Sequence, residues 1–80
     1  MKTHKLKILP EYYQEVVAGN KKAEIRVHDR EYEVGDFVIL KEWDIKGLCY
    51  TGDSCIVEIT HVVNDFRGLA PGFCMFSFDF

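Results

Sequence analysis

The sequence has no CxxC pair, no HxxxH spacing and no run of apolar residues long enough to span a membrane. Its three cysteines, Cys49, Cys55 and Cys74, cannot form an even disulfide framework, and its histidines, His4, His28 and His61, are scattered. A zinc site is therefore not expected, no cofactor is expected, and the thiols read as small apolar groups. With no secretory leader either, the expected compartment is the cytosol and no membrane partner is expected. Positive charge is not in excess: ten Lys and Arg stand against thirteen Asp and Glu, for a formal net charge of −3. Long-range attraction to a polyanion gets no help from this total, so nucleic acid would have to be met by a local patch. There are no internal repeats, no low-complexity segments and no linker, which leaves one domain over residues 1–80.

What is present is apolar and aromatic: 48 % of the 80 residues are hydrophobic, and there are six Phe, four Tyr and one Trp. A chain of this length buries only about 60 to 65 % of the surface its unfolded form exposes, so the core is thin and any site must be built on the folding unit itself. The stretch HKLKI alternates, with Leu6 and Ile8 on one face and Lys5 and Lys7 on the other, as in a half-buried strand. LPEYYQEVVAG carries helix punctuation at both ends: Pro10 suits the first helical position, Glu11 the positive end of the dipole, and Gly19 the residue after the helix.

From Lys22 the period becomes two. Ala23, Ile25 and Val27 alternate with Lys22, Glu24, Arg26 and His28, which predicts a strand with its apolar face toward the core and a fully ionisable face opposite. EVGD reads as a turn into FVILKEW, a core strand, and DIKGLCYTGD as a loop or hairpin punctuated by Gly47 and Gly52. SCIVEITHVV is a strand, NDFRGLAPG is irregular, and FCMFSFDF predicts Phe76, Phe78 and Phe80 inward. About five to six strands and one short helix at the mouth of the sheet predict an α+β fold, a small mixed β-barrel.

The ionisable groups crowd between Lys21 and Glu31, and the candidate ligand-binding residues come from there and from the helix: Lys21, Lys22, Glu24, Arg26 and Tyr12. GNKKAEIR fits GxKxxExR, and this pattern, with the helix before it and the VGD turn after it, resembles the ASCH superfamily of PUA-like domains. LKILPEYYQEVVAGNKKAEIR, VGDFVILKEWD and FRGLAPGF are similar to a short bacterial and phage branch of that superfamily. The resemblance covers nearly the whole chain and implies a cleft between helix and barrel that takes RNA, a nucleotide or a modified nucleoside. In it, Lys21 and Arg26 would pair with phosphate, Glu24 would accept from an exocyclic amine or a ribose hydroxyl, and Tyr12 or Tyr13 would stack a base.

Two other classes compete. A related branch hydrolyses the acyl amide of acetylated cytidine with a Lys matching Lys21 and a Thr where this chain has Glu24, so only the lysine carries over and little hydrolysis is expected here. The acidic run DREYEVGD and Trp43 also suit a protein-interaction module of phage or bacterial regulation, with Trp43 either plugging one end of the barrel or anchoring an interface.

Overall fold

The computed structural model describes residues 1–64 and 67–80. Asp65 and Phe66, in the stretch expected to be irregular, lie outside the described residues. The elements are β1 (Thr3–Ile8), α1 (Pro10–Val17), β2 (Ala23–Val27), β3 (Phe37–Asp44), β4 (Cys49–Val63) and β5 (Phe73–Asp79). They form one five-stranded sheet in the order β1-β3-β4-β5-β2, in which β1 runs parallel to β3 and the other neighbours are antiparallel. The sheet curls into a half-barrel whose two outermost strands, β1 and β2, come within reach of each other on the side beside α1.

The inward residues follow the pleat. His4, Leu6 and Ile8 of β1, Val38 and Leu40 of β3, Val57 and Ile59 of β4 and Cys74, Phe76 and Phe78 of β5 are buried together with Val16 of the helix. Helix α1 has Pro10 at its start and packs against β3. At its end, Gly19 takes φ +83°, donating its N–H to the Val16 carbonyl while Asn20 donates to Glu15. This left-handed turn satisfies the last helical carbonyls and swings the chain directly into Lys21 and β2.

Four expectations are corrected. The first concerns β2, which is turned over: Glu24 is 8 % exposed, whereas Ile25 and Val27 are 58 % and 57 % exposed. The cause is register against β5, where Glu24 stands opposite Phe76 and Arg26 opposite Cys74. Opposed residues project from the same face, and the inward set of β5 is Cys74, Phe76 and Phe78, so the ionisable face of β2 goes inward with them. The second is Phe80, which lies beyond the end of β5 and is exposed, while Cys74 takes the third inward place.

Third, the DIKGLCYTGD region, expected as a loop or hairpin, is a hairpin that turns at residues 45–48, and Gly52 lies inside β4, which starts at Cys49, not at its boundary. Lys41 pairs with Ser54 and Trp43 with Tyr50, so β4 carries extra residues there, and Gly52, at φ +99°, absorbs the bulge. Fourth, Trp43 lies outside the buried core. It stands half-buried on the outer face of the sheet, edge-on to Tyr50 with centroids 4.9 Å apart.

The segment between β2 and β3 carries no strand, yet its Tyr32 is buried and its ring sits between His4 (4.8 Å) and Phe76 (4.9 Å). Asp36, at the end of the same segment, is buried and accepts from His4 Nε2 (2.8 Å) and from the backbone N–H groups of Lys2 (3.0 Å) and Glu33 (3.1 Å). Burial opposes its ionisation, but these donors outweigh burial and hold its carboxyl below the ordinary value of 3.8.

Candidate functional site

Because β2 faces inward with its charges, Glu24 needs partners, and the neighbouring residues supply them. Lys21 Nζ lies 2.9 Å from Glu24 Oε1 and also donates to the Ala23 carbonyl at 2.6 Å. Arg26 places Nε and Nη2 each 2.8 Å from the other oxygen, Oε2. Both carboxylate oxygens are thus engaged by cations that are themselves only partly exposed. Arg26 Nη2 further donates to the backbone carbonyl of Lys7 on β1. An edge strand leaves backbone groups unpaired on its outer side, and here a side chain from the opposite edge takes one of them.

Along this seam run three open hollows that share walls. The middle one, about 380 Å³, has Lys7, Tyr12, Glu24 and Arg26 in its lining. Tyr12, Glu24 and Ile25 continue into a hollow of about 400 Å³ that Lys21 also lines. In the other direction Lys7, Arg26 and Val27 continue into one of about 410 Å³. Each is within the size range of small-ligand sites, about 300 to 1,000 Å³. Tyr12 is 51 % exposed and Lys21 Nζ lies 5.6 Å from its ring centroid.

The structure therefore brings Lys21, Glu24, Arg26 and Tyr12 to one trough. Lys22 stands apart from Arg26, on a smaller hollow of about 190 Å³ with Val16, Phe78 and Phe80. Tyr13 packs against the core and offers no stacking face in the trough. His28 lies just past the end of β2, exposed. Lys7, which the alternation of β1 places with Lys5 opposite Leu6 and Ile8, is not marked by the sequence as a wall of the trough; its place there follows from β1 being an edge strand. Sequence reasoning also missed the His4–Asp36 pair and Tyr32.

Among the described residues no group of three or more His, Cys, Asp and Glu could hold a metal ion, and no helix is long and apolar enough to cross a membrane. All three cysteines are free, and burial pushes the Cys74 thiol up, away from reactivity.

A protein of Escherichia phage P2, described as an uncharacterized 12.9 kDa protein in the GpA 3′ region, is 41 % identical over 63 residues. That match takes in 79 % of this chain but 56 % of the phage protein, so the chain spans little more than half the length of that relative. The profile of the family described as DUF3850, a domain of unknown function, matches residues 3–78, nearly the whole half-barrel, and the chain belongs to that family.

Proposed function

We propose that this half-barrel is a PUA-like domain of the ASCH type and that it binds RNA or a nucleotide in the trough between α1 and the β1–β2 seam. The observation that carries the reading is a half-exposed ring, Tyr12, that lines two adjoining open hollows together with Glu24, whose carboxylate is held by Lys21 and Arg26, with Lys7 on the wall of one of them. A base stacks on an exposed aromatic face, cations on the rim meet phosphate, and a carboxylate accepts from an exocyclic amine or a hydroxyl. Glu24 already neutralises part of this charge, so binding is modest and depends on the ring as much as on the cations. In this reading Arg26 serves two ends, orienting Glu24 and holding the seam.

The test is titration of the protein with nucleoside monophosphates and short RNAs at low salt, followed by backbone amide shifts. Shifts at Tyr12, Lys21 and Glu24 are expected, with affinity falling about 0.7 log units per log unit of salt for each phosphate met. Tyr12→Ala weakens binding while leaving the fold intact, and Lys21→Ala weakens binding while also lowering stability, because it removes one partner of the buried Glu24. If no RNA or nucleotide moves these resonances, the reading fails, and the exposed apolar strip of Ile25, Val27 and Phe73 makes a protein partner the leading alternative.

A further inference from the structure

Beyond the trough, the outer face of the sheet carries cations that meet rings instead of carboxylates. Lys7 Nζ sits 3.9 Å from the Trp43 ring centroid and 5.9 Å from that of Tyr50, and Lys41 Nζ sits 4.4 Å from Tyr50. None of Lys5, Lys7 and Lys41 forms an ion pair among the described residues. The hollow that Lys5 and Lys7 border is lined by these two, Arg26 and Arg30 against one carboxylate, Asp29, in a chain whose net charge is −3. Tyr50, 44 % exposed, closes this hollow on one side, and Lys7 with Arg26 joins it to the Tyr12 hollow on the other.

We infer that the Trp43–Tyr50 pair is a second stacking platform and that the ligand is a single strand of nucleic acid running across both hollows, not a lone nucleotide. This rests on the reading of the Tyr12 trough given above. The mechanism is an exchange of partners. Before binding, the ammonium of Lys7 covers a ring face that would otherwise be wetted. On binding, a base takes that face and the ammonium, already beside it, moves to the adjoining phosphate. Lys41 does the same at Tyr50. A strand is favoured over a duplex because rings can stack only bases that are not already stacked and paired. Charge supports the choice: the three lysines have no carboxylate to give up, whereas Lys21 and Arg26 do.

Trp43 is the single tryptophan, so its emission reports this platform and not the Tyr12 hollow. The experiment titrates the protein with RNA and with DNA homo-oligomers, from mononucleotide to about eight nucleotides. Trp43 fluorescence is read in parallel with affinity by competition against a labelled strand. Mononucleotide is expected to bind without quenching Trp43. Longer strands are expected to quench it and to bind tighter by about tenfold or more, the gain typical of one stacked base. Lys41→Ala and Tyr50→Leu, both at partly exposed positions, are expected to remove that gain and leave mononucleotide affinity unchanged. Similar gains with RNA and DNA would identify the strand by its bases and phosphates alone; a gain with RNA only would identify the 2′-hydroxyl as a further contact, and either outcome supports the platform.

If mononucleotide binds but added length brings neither affinity nor quenching, the platform is overturned while the Tyr12 reading stands. If a long strand quenches Trp43 and Tyr12→Ala has no effect on any length, the platform stands and the Tyr12 reading falls. If nothing binds at any length, both are overturned, and the lysines serve only to cover the rings.

Discussion

Arg26 on β2 donates to the backbone carbonyl of Lys7 on β1, so one side chain spans the opening between the two outermost strands of the sheet. The same guanidinium holds Glu24, whose other oxygen holds Lys21. Three candidate binding residues are thereby also part of the closure of the half-barrel, and substitutions among them act on stability as well as on any ligand.

Arg26→Ala removes the seam contact and leaves the buried Glu24 with Lys21 alone. We expect a loss of about 1 to 3 kcal/mol in urea unfolding, less than for a fully buried pair because Arg26 is partly exposed. Arg26→Lys recovers only part of it, since an ammonium lacks the fork that serves Glu24 and Lys7 together. In a double-mutant cycle with Glu24→Gln the coupling should be well above the few tenths of a kcal/mol of an ordinary surface pair. Coupling near zero would mean that the seam is held by something else.

Asp36 should make stability depend on pH on the acid side. Its folded value lies below its ordinary 3.8, so in the interval between them the unfolded chain binds more protons than the folded one. The stabilisation is fully present above the unfolded value and is lost as pH falls through the folded one. Unfolding free energies measured from pH 7 downward should be steady until about pH 5 and then decline. Asp36→Asn, whose amide N–H must oppose either the Lys2 N–H at one position or the Glu33 N–H at the other, should cost about 2 to 4 kcal/mol at pH 7 and flatten this acid limb. An unchanged acid limb in the variant would assign the pH dependence to other carboxylates.

The orientation of β2 predicts a contrast between neighbours. Ile25→Thr, on the exposed face, should change stability by no more than about 0.5 kcal/mol. Phe76→Ala, which empties the fully buried position opposite Glu24, should cost about 3 to 5 kcal/mol. A large loss at Ile25 would mean that its face is covered, by the sheet or by another molecule.

Much of the architecture was legible in the residues. The helix was readable because Pro10 and Gly19 act locally, through a fixed φ at one end and a left-handed one at the other. Strand alternation was readable because it needs only the pleat, and so was the crowding of Lys21, Glu24 and Arg26. Tyr32 was not: nothing local marks an aromatic in an acidic run as core, since its burial depends on His4 and Phe76 arriving from elsewhere. The outer position of Trp43 was equally hidden, because it follows from pairing with Tyr50 across a bulge.

The order of elements, the two faces of each strand and the charges that share a face on β2 thus follow from local residue pattern, because these depend on backbone geometry over a few residues. Tertiary structure alone decided which of those faces turns inward. A period of two is symmetric between its faces, and the choice was made by the register of Glu24 and Arg26 against Phe76 and Cys74. It was made tolerable by Lys21, which meets the buried carboxylate, and by a Lys7 carbonyl on the far edge that only a closing sheet brings within reach of Arg26.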